Sequence, residues 1–180
     1  MVILEHGIDG ATRARIADRA GVRPSALHHF MGTQDEVLRA AIDHIAQLLT
    51  TSLTEPDGPQ RHPQAALAAT VDLAFGHVVD RPEVNQLLDE LVAHSYRDSA
   101  TAETLAAFYR GVTDDLAEQV RQAWPSARPA DARITAAEII ALVHSAGTFR
   151  HLGLDELAVA AHRRAHILAE RDPGGDTTPE

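Results

Sequence analysis

Two pairs of histidines have spacings that suit binding chemistry, and the first lies near the N-terminus. His28 and His29 are adjacent and follow closely after Arg23. A neutral imidazole and a guanidinium both hydrogen-bond to phosphate oxygens and to the edges of bases. These three side chains are therefore candidates for contact with a nucleic acid. The alternatives are that one histidine only supports packing and that Arg23 is a solvated arginine at a turn.

The second pair, His162 and His166, is four residues apart, which places both imidazoles on one face of a helix. Such a pair can chelate a metal ion. The segment has no HExxH frame, however, and Arg163 and Arg164 lie between the histidines. Because a metal site also needs a third ligand with suitable geometry, we expect two surface histidines and no metal site.

The sequence contains no recognisable catalytic arrangement. The acidic pairs Asp89–Glu90 and Asp114–Asp115 are adjacent on predicted helices, so their side chains point apart. No serine or histidine stands in a nucleophile motif. The chain has no cysteine, which excludes disulfides and thiolate metal sites. We therefore expect no enzyme activity and no cofactor, and an enzyme on a helical scaffold is the weakest alternative.

The elements that would position Arg23 and the first histidine pair are predicted between residues 12 and 38. Thr12 is a helix N-cap, because its hydroxyl can accept an unpaired amide at the start of a helix. Gly21 suits the left-handed conformation that ends a helix. Pro24 suits the first turn of a second helix, and Thr33 caps a third. This pattern predicts a helix-turn-helix followed by a longer helix.

The run GxxxxTRxxIADRAGVxxSxLHHFxxTQDEVL, from Gly7 to Leu38, resembles the DNA-binding end of TetR-type transcriptional regulators. The match covers residues 5–45, about a quarter of the chain, with several positions in register. The resemblance implies an all-α fold in which a three-helix DNA-binding unit precedes a larger helical bundle, about nine helices in total. It also implies a homodimer that binds double-stranded operator DNA.

The resemblance and the position of the second helix together predict which residues contact DNA. Residues at the start of such a helix meet base edges, and Arg23 is the candidate for a guanine contact. The predicted contacts are Thr12, Arg13, Arg23, Pro24, Ser25, Ala26, His28, His29, Thr33 and Gln34.

Three features depart from the family's pattern. The usual tyrosine of the second helix is His28, and the usual lysine after it is Gln34. Both family residues usually contact phosphate, so each replacement weakens the electrostatic part of DNA binding. Only MVILEH precedes Gly7, where the family has a full helix. We expect either a truncated chain or a vestigial first helix.

Hydrophobic periodicity predicts further helices at about 33–51, 63–79, from Pro82 onwards, and at 100–124, 131–151 and 155–170. The proline- and glycine-rich segment 55–63 is predicted as a loop. We expect a helix-turn-helix domain over residues 1–45, a ligand-binding and dimerisation domain over 46–172, and a disordered tail over 173–180.

Small and aliphatic residues on the last two predicted helices suit close helix packing. In TetR-type proteins these two helices pair with those of a second subunit. The candidate interface residues are Ala137, Ile140, Ala141, Ala158, Ala161, Ala165 and Leu168. The alternative is that they close the subunit's own core, and a helix can bury two faces.

The family also binds small-molecule effectors within the helical domain, and several residues here combine apolar and polar character as a pocket requires. The candidate lining residues are Phe75, His77, His94, Tyr96, Phe108, Tyr109, His144 and Phe149. Each is otherwise an ordinary core or surface residue, and a pocket uses few polar groups.

The net charge of −10 is distributed unevenly. Residues 1–34 hold four arginines against three acidic residues, and the remainder holds twelve against 23. A slightly basic tip on an acidic body is compatible with DNA binding through the tip. Without a signal peptide or an apolar span, we expect a cytoplasmic protein with no membrane partner.

The sequence thus predicts a homodimeric transcriptional repressor that is released by an unidentified small molecule. The alternative is a helical ligand-binding or interaction protein that has lost DNA binding. The short N-terminus, the two replaced phosphate contacts and the acidic balance favour that alternative.

Overall fold

The computed structural model describes residues 2–23, 25–26, 36, 39–40, 42–43 and 62–175. Every regular element in this part of the chain is helical, and none of the residues it covers forms a strand. The predicted all-α class is confirmed. Seven helices have both ends among these residues. The expected total of about nine is not tested, because two predicted helices lie largely outside the described residues.

The first two helices are short. Helix α1 is Val2–Gly10 and helix α2 is Arg13–Ala20. Helix α1 bends at Gly7, whose φ of 68° lies in the left-handed region that favours glycine. Val2, Ile3 and Ile8 are buried. The residues before Gly7 therefore form a short first helix that contributes apolar side chains to its unit.

Five longer helices follow. For the four of them whose two ends were both predicted, each observed end lies within two residues of the predicted end. They are α3 (Pro63–Val78), α4 (Pro82–Ser95), α5 (Ser99–Ala123), α6 (Pro129–His151) and α7 (Asp155–Glu170). Three of them begin at a proline, because its fixed φ suits the first turn and its missing N–H has no partner there anyway.

The chain divides into two compact units. Unit 1 comprises Met1–Gln47 and Gln86–Phe108, and unit 2 comprises Leu48–Asn85 and Tyr109–Glu180. The domain predicted over residues 1–45 lies within unit 1. Unit 1 also contains Gln86–Phe108, which the prediction had assigned to the second domain. Helices α4 and α5 contribute residues to both units, so the division does not follow a single break in the sequence.

The core of unit 2 is built from large side chains of α3, α5 and α6 packed against small residues of α7. Leu67 and Val71 of α3, Val120 of α5 and Ile139 of α6 are almost fully buried. The buried residues of α7 are Ala158, Ala161, Ala165, Leu168 and Ala169. Small residues allow α7 to approach the other helices closely, which gives the dense packing typical of protein interiors.

Side-chain hydrogen bonds hold the C-terminal end of the described chain to the loop before α6. The indole Nε1 of Trp124 donates to the carbonyl oxygen of Ala169 at 3.0 Å. The Ser126 hydroxyl donates to the Asp172 carboxylate at 2.6 Å. Residues 173–175 form a turn. These three residues belong to the segment 173–180 that was predicted to be a disordered tail, and its residues 176–180 lie outside the described residues. The disorder of that tail stays a prediction.

None of the helices in the described ranges has the length and apolar character needed to cross a membrane.

Candidate functional site

Helix α2 has the predicted caps at both ends. The Thr12 hydroxyl accepts a hydrogen bond from the amide of Arg15 at 3.5 Å. Gly21 has φ 67° and ψ 25°, and its N–H donates to the carbonyl of Asp18. The Val22 amide reaches back to the Ala17 carbonyl at 3.0 Å. This pair of bonds satisfies the last carbonyls of the helix and reverses the chain sharply.

A second helical segment begins directly after this turn. The amide of Ala26 donates to the carbonyl of Arg23 at 2.9 Å, and both Ser25 and Ala26 are helical. Arg23 therefore stands at the entrance of this segment. Most of the predicted second helix, from residue 27 onwards, lies outside the described residues.

Half of the predicted DNA contacts can be located, and all of those are exposed. They are Thr12, Arg13, Arg23, Ser25 and Ala26. The other five, Pro24, His28, His29, Thr33 and Gln34, lie outside the described residues.

The four arginines of this region differ in what they bind. Arg15 donates through Nη1 to the carbonyl of Gly10 at 2.9 Å. Arg19 forms an ion pair with Glu5, with 2.8 Å between Nη1 and Oε1. Arg13 and Arg23 form no ion pair with any residue that the structure describes. Arg13, at the start of α2, and Arg23, after its C-terminal turn, are both exposed.

Three of the predicted pocket residues, His94, Tyr96 and Phe108, lie in unit 1. His94 is largely buried, and its Nδ1 lies 3.8 Å from the carboxylate of Asp9, which is also 4.0 Å from the guanidinium of Arg97. Tyr96 is 85% exposed, so its ring faces solvent. Phe108 is half-buried.

The structure pairs two pocket candidates of unit 2. The Tyr109 hydroxyl lies 3.4 Å from Nδ1 of His144, and both side chains are half-buried. Phe149 lies further along α6 and packs partly against the core. This pair can present a hydroxyl and an imidazole to a ligand beside an apolar surface.

His77 has an unusual environment in the same unit. The pKa of its imidazole is lowered below the ordinary value of 6.5. Burial is the larger cause, and the positive charge of Arg81 is the smaller one. Its Nδ1 is buried without a hydrogen-bond partner in the described structure. The neutral imidazole is therefore favoured in the folded protein.

Phe75 packs elsewhere, against the second histidine pair, to which the structure adds Asp72. Its ring stacks on His162 with 4.3 Å between centroids. The Nε2 atoms of His162 and His166 lie 3.0 Å and 2.7 Å from the same oxygen of Asp72. Burial raises the pKa of Asp72, but hydrogen bonds and charge from the two histidines outweigh it, and the net shift is downward. Asp72 on α3 thus places a third potential ligand atom beside the histidine pair.

Comparison with known proteins gives consistent results for the fold. Protein-family models give no match to the chain. The HTH-type transcriptional regulator PksA of Bacillus subtilis is 31% identical over 91 residues, which span 51% of this chain and 36% of PksA. The chain therefore matches only about a third of the length of that relative.

Solved structures match over nearly the whole chain. A TetR transcription regulator from Haloarcula marismortui superposes with a TM-score of 0.73 at 20% identity, over 94% of this chain and 90% of that one. The Bacillus subtilis regulator FadR, in complex with stearoyl-CoA, gives 0.73 at 16% identity, over 95% and 93%. The chain has the TetR-type fold. AibR, in complex with isovaleryl coenzyme A and operator DNA, gives 0.63 at 16% identity, over 95% and 92%.

The candidate dimer residues of this TetR-type chain fall into two groups. Ala158, Ala161, Ala165 and Leu168 of α7 are buried in the core of unit 2, as the alternative interpretation stated. On α6, Ala137 and Ala141 are exposed and Ile140 is half-buried.

Sequence reasoning missed other apolar residues at this surface. Ile134 of α6 is 58% exposed, and Val159 and Ile167 of α7 are about half exposed. With Ala137 and Ala141 they form what we call the α6–α7 face. The helical spacing of Ile134, Ala137 and Ala141 at i, i+3 and i+7 was the available signal.

Proposed function

We propose that the chain is a DNA-binding regulator of transcription that acts as a homodimeric, ligand-responsive repressor. The observation that carries this proposal is the exposed turn after α2, where Gly21 reverses the chain and Arg23 opens the next helical segment. Exposed Arg13 and Arg23 flank this turn. The TetR-type fold and the similarity to a helix-turn-helix regulator support it.

In this proposal Arg23 reads a base and the surrounding residues hold the protein on the DNA backbone. The guanidinium fork matches the O6 and N7 acceptors of guanine in the major groove. Thr12 and Arg13, at the start of α2, contact phosphate, since exposed amides and positive charge at a helix N-terminus favour an anion. His28, His29, Thr33 and Gln34 belong to the same proposed surface.

In this proposal the dimer forms through the α6–α7 face, and each subunit contributes one such reader. Successive major grooves on one side are about 34 Å apart, so a symmetric dimer reads a palindromic site. The exposed Ile134, Val159 and Ile167 support this assignment. Exposed apolar side chains that lie together on a surface often mark an interface.

The effector is inferred to bind through the Tyr109–His144 pair. A ligand with a hydrogen-bonding head and an apolar body would meet the hydroxyl or imidazole with its head and apolar side chains of unit 2 with its body. Because FadR and AibR were solved with acyl-CoA ligands, acyl-CoA thioesters are the first class to test. The effector would release DNA only by its differential affinity for the two arrangements of the dimer.

A gel-shift titration with the DNA upstream of the coding region tests this function. We expect a retarded complex on that DNA, weaker binding to a random duplex of equal length, and release by an acyl-CoA or a related thioester. Equal weak binding to both duplexes would instead favour a ligand-binding or interaction protein that has lost DNA binding. His28 and Gln34, which replace the usual phosphate contacts, favour that second function.

A further inference from the structure

Asp72, His162 and His166 form a cluster on unit 2 that the proposed regulator function does not use. Asp72 lies on α3, and the two histidines lie on successive turns of α7. The Nε2 atoms are 3.0 Å and 2.7 Å from Oδ1 of Asp72. All three potential ligand atoms lie within 4.8 Å of one another. From this geometry we propose that the cluster is a binding site for a divalent transition-metal ion of the Zn²⁺ type.

The separations are close to those that such an ion needs. Zn²⁺ is bound by imidazole nitrogens and carboxylate oxygens at about 2.0–2.2 Å, usually in a tetrahedron. Bonds of that length place neighbouring ligand atoms about 3.3 Å apart. The two distances from Asp72 to the histidines are slightly shorter, and the two Nε2 atoms lie within 4.8 Å of each other. A small rotation of the exposed Asp72 side chain would therefore open room for the ion.

Binding replaces the present hydrogen bonds. At most one hydrogen atom on each Nε2 now points at Asp72. An ion in the centre takes the Nε2 lone pairs of two neutral imidazoles and one oxygen of the carboxylate. A neutral ring must then carry its hydrogen on Nδ1, and a ring that was doubly protonated releases one proton to solvent. Metal binding therefore requires deprotonated histidines and strengthens as the pH rises.

Packing already fixes one of the two rings. His162 stacks on Phe75, with an interplanar angle of 25° and 4.3 Å between centroids. Phe75 is 5% exposed and belongs to the core of unit 2. Less side-chain entropy is lost when a ligand is ordered beforehand, so the stack favours binding.

The exposure of the site makes the ion exchangeable. The exposed fraction of the side chain is 60% for Asp72, 40% for His162 and 27% for His166, so water and ions reach the site. Three protein ligands leave the fourth position to water, unlike the closed four-ligand sites that hold structural zinc. An ion bound here joins α3 to α7 and stabilises unit 2 by an amount that rises with the logarithm of the free metal concentration once that concentration exceeds Kd.

Calorimetric titration of the full chain with ZnCl₂, after treatment with a chelator, tests the site. We expect one tight site per chain and a rise in Tm on adding zinc. His166→Ala and Asp72→Asn should each weaken that site at least tenfold and abolish the rise. The matched control is His151→Ala, which removes an exposed histidine from the end of α6 and should change neither result.

Wild-type affinity in both variants, or no binding to the wild type at millimolar zinc, would overturn the proposal. If a variant fails to fold, the imidazole ¹⁵N resonances of the wild type decide. Zinc should shift the Nε2 signals of His162 and His166 before those of the other histidines, and a uniform response of all histidines would contradict a specific site. These measurements contain no DNA, so their outcome is independent of the regulator function.

Discussion

The side chain of Asn85 on α4 packs against the backbone of Gly147 on α6. A Cβ atom at position 147 would lie 2.7 Å from Cγ of Asn85, closer than such atoms approach in proteins. Asn85 is 2% exposed, so its side chain is enclosed by close-packed neighbours and has little room to move aside. Position 147 therefore requires glycine, because a side chain there would prevent the close approach of Asn85 to the backbone of α6. This requirement holds although glycine in a helix interior is destabilising.

Gly147→Ala is expected to destabilise the protein despite the better helix propensity of alanine. Overpacking costs about 1–3 kcal/mol, against a propensity gain of about 1 kcal/mol. Gly111→Ala in α5 is the matched control, because nothing lies within 4 Å of a Cβ placed there. It should stabilise by about 0.5–1 kcal/mol. Urea unfolding of both variants checks this, and equal changes would contradict the packing argument.

The elements with local determinants were predictable from the sequence. Thr12 and Gly21 cap α2 through groups within a few residues of the helix ends, so residue type alone identified them. The bounds of α7, Asp155–Glu170, were predicted to the residue, because Gly153 and the apolar periodicity mark them. Such features depend on no distant contact.

The features that depend on distant residues were not predictable. Asp72 meets His166 across 94 residues of sequence, and nothing in the alanine-rich segment around Asp72 indicates its partner. The small residues of α7 suit either the subunit's core or an interface, since both need close approach of helices. Only the folded chain separates buried Ala161 from exposed Ala141.

The DNA surface leads to a prediction for Arg23. Arg23→Ala should weaken operator binding by about 1–3 kcal/mol and relax the preference at one base position. Arg164→Ala, an exposed arginine of α7, is the control and should leave operator binding unchanged. Fluorescence anisotropy with operator and random duplexes measures both. The base-reading role is excluded if Arg23→Ala weakens the two duplexes equally.

Gln34→Lys tests the electrostatic part of the same surface. An added lysine near phosphate should tighten binding to operator and random DNA alike and make the logarithmic salt slope steeper by about 1. Anisotropy titrations between low and moderate salt give the slope. An unchanged slope would mean that residue 34 does not approach the DNA backbone.

His77 predicts a specific loss of stability in mild acid. Its pKa is lowered in the folded protein by burial and by the charge of Arg81, so below pH 6.5 the unfolded chain binds more protons at this residue. The His77 contribution is fully present above pH 6.5 and is lost as the pH falls towards the folded pKa. His77→Gln removes this effect and should lose less stability than the wild type between pH 7.5 and 5.5.

Urea midpoints at the two pH values measure that difference. His151→Gln is the control, because His151 is exposed and should follow the wild type. A His77→Gln variant that loses as much stability as the wild type would show that His77 does not couple to folding.

The two alanines Ala141 and Ala161 distinguish an interface from a core. Ala141 is exposed on the α6–α7 face, whereas Ala161 is 6% exposed within unit 2. Ala141→Glu should leave the fold intact and place a charge in the proposed interface, where an unpaired charge costs several kcal/mol. Sedimentation should then show folded monomers.

Ala161→Glu buries the same charge inside the subunit, so circular dichroism should show loss of structure. A folded dimer of the Ala141→Glu variant at micromolar concentration would assign dimerisation to another surface.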